Sequence, residues 1–240
     1  GEIILVVIGI LIALQINNWN QEIKSFKKTN LLLTQVHKEL AFNLKKANGV
    51  IERYRRNDSL IYYVLNRKLT YNDYKYNRRY TNFMRGTTEA NLVDDAFKTL
   101  IDNQNMFIQE QDSIVEKLRN LYGTDKKEVD LLDEYTVKNG MNKIKNLETN
   151  GWLYDHHVNQ TTSDEQIIYY LTNPSYLGEV TEYKIRHLGD HNGYTLDFRN
   201  NAIKIYNELS DYLNIKKDTS IVKDLKEYQH YLGTYVSEDE

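Results

Sequence analysis

Histidine and carboxylate spacing gives this chain its clearest approach to metal chemistry. His187-Leu-Gly-Asp-His191 sets two imidazoles four residues apart, and Asp155-His156-His157 adds further nitrogen and oxygen donors. Together they hold enough donors for a zinc site. Ligation from positions i and i+4 needs an unbroken helix, however, and Gly189 sits inside the interval. The zincin pattern, with a glutamate directly after the first of two such histidines, is absent. Both clusters are therefore expected to be polar loop, and no metal or cofactor is assigned. Glu179 and Glu182 lie one helical turn apart, a spacing that solvated helix faces share. A phosphate-cradling glycine loop, a nucleophile elbow and a kinase motif set are all missing. With no cysteine in the sequence, disulfides, thiol nucleophiles and thiolate metal sites are excluded. The expected class is not an enzyme.

A second chemistry is electrostatic. Between Arg53 and Arg85 lie nine basic residues: Arg53, Arg55, Arg56, Arg67, Lys68, Lys75, Arg78, Arg79 and Arg85. Only Asp58 and Asp73 oppose them, in a chain whose formal net charge is -3. Tyr54, Tyr62, Tyr63, Tyr71, Tyr74, Tyr76, Tyr80 and Phe83 are interleaved. Cations with stacking rings are the footprint of single-stranded nucleic-acid binding. They also suit an anionic envelope polymer, a lipid headgroup, an acidic protein, or simply a solvated helix tip. This is the largest charge asymmetry in the chain and the first place to look for a partner.

The elements that carry these residues read as helices. Ile16, Trp19, Ile23, Phe26, Asn30, Leu33, His37, Leu40, Leu44, Ala47, Ile51, Tyr54, Asp58, Ile61 and Leu65 recur at alternating three- and four-residue steps. No proline intervenes, so one helix of ~75 Å is expected at ~1.5 Å per residue. Val36, Val50 and Val64 widen the stripe, as in a helix inside a globular bundle. Packing against later helices and self-association along a coiled-coil seam both remain open, and His37 reads as a tolerated seam residue. Further helices are expected over 90–122, closed by Gly123, over 127–147, weakened at Asn139-Gly140, and over 164–171. The last of these opens on a Thr162-Ser-Asp-Glu165 capping box and stops at Asn173-Pro174. Others are expected over 176–188, 196–213 and 221–232. Strand signals are confined to Leu232-Gly-Thr-Tyr-Val236, and one proline with 11 glycines is little punctuation for a β-rich fold. The expected fold class is all-α.

The long helix begins in grease. Ile3, Leu5, Val6, Val7, Ile8, Ile10, Leu11, Ile12 and Leu14 form an apolar run that ends at Gln15, with Trp19 just beyond. A run of ~14 residues spans about 21 Å, short of the roughly 20 residues a bilayer core needs. The chain opens on glycine, and the span is expected to start upstream of it. A signal peptide would need a preceding basic stretch and a small-residue cleavage site; Gln15-Ile-Asn-Asn-Trp-Asn20 is a poor one. Trp19 then falls in the interfacial aromatic belt. Glu2 lies either at headgroup depth or paired with another membrane subunit.

The string Gly1-Glu-Ile-Ile-Leu-Val-Val-Ile-Gly-Ile-Leu-Ile-Ala-Leu-Gln-Ile-Asn-Asn-Trp-Asn20 resembles the signature of an uncharacterised single-pass membrane family common in Bacteroidota. Ala96-Phe-Lys-Thr-Leu-Ile-Asp-Asn-Gln-Asn-Met-Phe-Ile-Gln109, running on to Lys117-Leu-Arg-Asn-Leu-Tyr122, is more loosely similar to a second segment of it. The resemblance implies a short basic N-terminal tail, this anchor, and a helical domain of unknown function. It implies no catalytic residues, and orientation comes from it alone.

The resulting expectation has three parts: an anchor over 1–18, a helical extracytoplasmic domain over 19–232, and a tail or the start of a further module over 233–240. The protein is expected in a bacterial inner membrane with its domain in the periplasm. There it would be an accessory, scaffold or interaction subunit of an envelope complex. Expected partners are membrane lipid, other envelope or membrane proteins and further copies of itself, but not nucleic acid. A periplasmic ligand sensor with partner-dependent output is the alternative.

Overall fold

A computed structural model describes residues 1–107 and 111–222. Its organising element is α1, Glu2–Leu65, an uninterrupted helix of 64 residues. The sequence permits this length because its one proline, Pro174, lies far downstream. Residues 1–22 are exposed, and full burial starts at Thr29. From there Leu33, Val36, Leu40, Leu44, Ala47, Val50, Tyr54, Ile61 and Val64 enter the core. The valines that widened the stripe are all buried. That is the signature of a helix wrapped by its own chain, rather than of a narrow two-helix seam.

The other long core partner is α9, Asn192–Tyr212. It runs antiparallel to α1, and polar pairs mark the register. Tyr212 reaches Asn30 at 3.3 Å, His37 meets the Ser210 hydroxyl at 2.8 Å, and Arg199 bonds Asn48. Tyr54 reaches His191, one residue before α9, at 2.6 Å. The polar interruptions Asn30 and His37 in the apolar stripe thus answer polar groups on α9. A shift of register would bury them unpaired, which costs more than the bonds contribute. Phe198, Ala202, Ile205, Tyr206 and Leu209 supply the apolar face between these pairs.

Short elements close the distal end of α1: α2, Tyr71–Tyr76, and α3, Arg79–Asn82. Helix α2 opens on a reciprocal capping box between Thr70 and Asp73. The chain then returns along α1 in non-helical form to α4, Asp95–Asp102. Buried backbone outside a helix must find partners, and side chains supply them here. Asn43 pairs with both the carbonyl (2.7 Å) and the N–H (3.0 Å) of Val93. The Asp133 carboxylate accepts the N–H groups of Ala90 and Asn91 at 2.8 and 2.9 Å. Glu39 caps α4 by accepting from Ala96 and Phe97.

The remaining helices are α5, Asp112–Asn120; α6, Lys126–Thr149; α7, Asp164–Thr172; and α8, Pro174–Tyr183. No strand occurs among the described residues, and the domain is all-α. Several boundaries differ from expectation. The single helix expected over 90–122 is broken into α4 and α5 around a 3-10 turn at Gln104–Met106. There Asn103 turns its amide back on the Thr99 carbonyl, the competition with backbone that makes such residues helix breakers. Gly123 does not end a helix. It keeps a right-handed conformation inside a π-helical turn, Leu121–Asp125, that joins α5 to α6. A second π-helical segment, Lys184–His191, makes α8 continuous with α9. Gly140 leaves α6 intact because α6 passes close to Gly86 there: an added Cβ would stand 3.3 Å from Thr87 Cγ2. The cap of α7 is Ser163, which accepts from the Gln166 N–H, rather than Thr162. Pro174 takes the first turn of α8. The strand-like tail and all but Ile221 and Val222 of the last expected helix lie outside the described residues.

Candidate functional site

The N-terminal part of α1 is long and apolar enough to cross a membrane, and none of it is buried by the rest of the chain. Ile3, Leu5, Val6, Val7, Ile8, Ile10, Leu11, Ile12 and Leu14 are all exposed, as is Trp19 at 65%. Exposed single apolar residues are ordinary, whereas a continuous exposed apolar cylinder calls for lipid or protein around it. The same helix continues without a break into the core.

At the opposite end of α1 the structure divides the nine expected basic residues into two groups. Six have partners within the chain, although only Arg78 and Arg85 are partly withdrawn from the surface. Arg53 bonds the Thr87 carbonyl, Arg55 and Arg56 flank Glu52, and Lys75 pairs with Asp164 at 2.7 Å. Arg78 bonds Gln160 and the His156 carbonyl, while Arg85 reaches the Tyr170 hydroxyl at 2.6 Å. Arg67, Lys68 and Arg79 are exposed and have no carboxylate partner among the described residues; Lys68 leans on the Tyr62 ring and hydroxyl. Tyr62, Tyr63, Tyr71 and Tyr76 are exposed around them. The surface left without carboxylate partners is thus smaller than the sequence stretch: three cations and four tyrosine rings at the tip.

The histidines are not in polar loops. The π-helical segment Lys184–His191 turns both His187 and His191 into the core. His191 Nδ1 meets the Tyr54 hydroxyl at 2.6 Å, and Nε2 approaches Asp133 Oδ1 at 2.9 Å, poorly aligned for a hydrogen bond. The Tyr54–His191 hydrogen bond is thus fully buried, with the Asp133 carboxylate beside the other edge of the ring. Burial pushes the Tyr54 phenol well above its ordinary range. Tyr54, His191 and Asp133 thus bring α1, α6 and the pinned 90–91 backbone together in one buried polar cluster. His187 stacks on Tyr183 with ring centroids 4.3 Å apart, and neither of its nitrogens has a partner. Burial first, then the neighbouring His191 and Lys143, lower its pKa to about 4. His156, in another π-helical turn at Asp155–Asn159, has different neighbours: burial and then Arg85, His157 and Arg78 lower its pKa to about 3. The described residues contain no group of three or more His, Cys, Asp or Glu arranged to hold a metal. Glu179 pairs with Lys143 and Glu182 accepts from Tyr135, so the two carboxylates serve separate contacts.

Sequence reasoning missed Asp133 and Tyr54 as a pair. Nothing local to Asp133 distinguishes it from the other acidic residues of α6. A buried i, i+4 histidine pair becomes visible only once the π-helical turn is known.

The class defined so far is an all-helical domain grown on one membrane-length apolar helix. Within that class, residues 2–94 are similar to a family of unknown function (DUF6090). The match takes in the apolar segment, all of α1, the cationic tip and the backbone pinned by Asn43 and Asp133. No curated protein and no solved structure matches the chain.

Proposed function

We propose that this is a single-pass bacterial inner-membrane protein whose helical domain lies in the periplasm. Its role there is that of an accessory or scaffold subunit of an envelope complex. The observation that carries the reading is the unbroken α1, apolar and unburied at one end and cationic at the other. From Asn20 to Leu65 the helix rises roughly 70 Å at 1.5 Å per residue. A tip at that height is out of reach of the bilayer that holds the anchor, because screening ends its attraction to the headgroups within about 10 Å. The partner it suits is an acidic face of another envelope protein, met by Arg67, Lys68, Arg79 and the exposed tyrosines.

Reversing these charges tests the reading. The full chain is purified in mild detergent from cells carrying its native neighbours, and its assemblies are weighed by native mass spectrometry. The unaltered protein is expected in a complex that salt disperses. Arg67→Glu, Lys68→Glu and Arg79→Glu together should release it, whereas the exposed control Lys145→Glu should not. A parent protein that is always monomeric, or a complex indifferent to the triple reversal, rejects the scaffold reading.

One observation favours a second reading, that of a ligand-sensing domain with output through a partner. A small cavity opens between α3, α6, α7 and α8, floored by the charged pair Lys143–Glu179. Small ligands enter mostly apolar cavities that carry a few polar groups, and α8 packs directly on α1.

A further inference from the structure

We propose that the cavity beside Arg85 binds a small carboxylate, with the Arg85 guanidinium as its counter-ion. The site lies beneath the tip rather than on it and does not depend on the scaffold reading. Its volume is about 40 Å³, and Arg85, Trp152, Tyr169, Tyr170, Tyr176 and Glu179 are among the residues that line it.

Charge favours an anion there. Arg85 donates to the Tyr170 hydroxyl at 2.6 Å and to the Asn82 amide oxygen at 3.3 Å, both neutral. No carboxylate lies within ion-pair distance of it among the described residues. After burial, the Tyr170 and Tyr176 phenols favour its charged form, and the one neighbouring cation that opposes it is Arg78, which itself bonds an amide and a backbone carbonyl. Glu179 does not answer it. One Glu179 oxygen takes Lys143 at 2.7 Å, and the other takes Tyr169 at 3.1 Å and Asn146 at 3.3 Å. Lys143 and Glu179 cancel, leaving the cavity with the unmatched charge of Arg85. Guanidinium groups even partly withdrawn from water are normally paired; Arg85 is half-buried, and that burial disfavours its charged form. An anion in the cavity removes that penalty.

Shape narrows the anion to a small carboxylate. At about 10–15 Å³ per water-sized probe sphere, the space suits an ion of only a few heavy atoms. A guanidinium fork matches the two oxygens of a planar carboxylate better than a spherical ion. The walls are aromatic and close: Tyr170 and Tyr176 have ring centroids 4.5 Å apart, and Trp152 and Tyr169 5.3 Å. They offer flat apolar surface to the short carbon stem of such an acid. Formate, acetate or the smallest amino and hydroxy acids fit this description, with Lys143–Glu179 placed to receive a polar substituent.

The test uses the full chain in mild detergent with Trp19→Phe, which leaves Trp152 as the one tryptophan of two. Sodium acetate is titrated against Trp152 emission, with sodium chloride at the same ionic strength as the comparison. A saturable change with acetate is expected, at least tenfold weaker in Arg85→Gln and unchanged in the exposed control Lys127→Gln. If Arg85→Gln does not fold, Arg85→Lys replaces it: the charge remains, the fork is lost, and a several-fold weaker response is expected. No saturable response, an equal response from chloride, or equal affinity in the Arg85 variant overturns the proposal.

Discussion

Replacing His187 by phenylalanine should make this protein more stable, and more so in acid. The ring is 3% exposed, stacks on Tyr183 at 4.3 Å, and leaves both nitrogens without a partner. Phenylalanine keeps the flat shape and the stack while removing the unpaired polar atoms. A buried polar group without a partner costs about 1–3 kcal/mol, which sets the gain expected at neutral pH. The acid term follows from linkage. The folded-state pKa is lowered from 6.5 to about 4, so the unfolded chain takes up the proton first. The stability tied to the neutral ring is complete above the unfolded value and is lost as pH falls through 6.5 toward 4. At about pH 4.5 the loss is roughly 2.5 kcal/mol. His187→Phe escapes it, so its advantage should widen by that amount between about pH 7.5 and pH 4.5. Urea denaturation followed by far-ultraviolet circular dichroism at the two pH values reads both terms. A constant difference between parent and variant would refute the titration argument. A less stable variant at neutral pH would refute the packing argument.

Other consequences concern the same core. Asp133→Ala leaves the Ala90 and Asn91 N–H groups without their shared acceptor and removes the carboxylate beside His191; it should cost about 3–5 kcal/mol in the same denaturation assay. Tyr54→Phe removes the 2.6 Å bond to His191 and should cost about 1–2 kcal/mol without altering helix content. Gly140→Val places bulk where even a Cβ stands 3.3 Å from Thr87 Cγ2; a loss of about 1–3 kcal/mol is expected. Deleting residues 1–20, none of them buried, should leave the melting temperature within about 2 °C while abolishing the need for detergent.

The all-α class and α1 were legible because apolar periodicity over many turns is a strong local signal. Its end at Leu65 and the burial of Val36, Val50 and Val64 follow from the same stripe. Where the signal is one residue deep, it misled. Gly123 reads as a stop, yet a glycine ends a helix by adopting positive φ, and here the chain carries it through a π-helical turn instead. Asn139-Gly140 reads as a weakness and is a close packing contact. The histidines illustrate the harder limit. Gly189 argues against ligation at i and i+4 only in an α-helix, and the wider π-helical turn places both rings inward without any sequence mark. The basic stretch was legible as a stretch, but which cations are left unpaired depends on acceptors such as Gln160, Asp164 and Tyr170, some 80 residues or more away. No pattern along one chain encodes those pairings.

The lipid-embedded start of α1 is the claim on which the rest stands, and the absence of cysteine from the sequence makes one measurement decisive. Leu11→Cys is expressed in the full chain and treated, in spheroplasts, with a membrane-impermeant maleimide. Protection until detergent is added is the expected result, alongside immediate labelling of the control Arg67→Cys from the periplasmic face. Ready labelling of Leu11→Cys in intact spheroplasts would place that segment in water and contradict the membrane anchor.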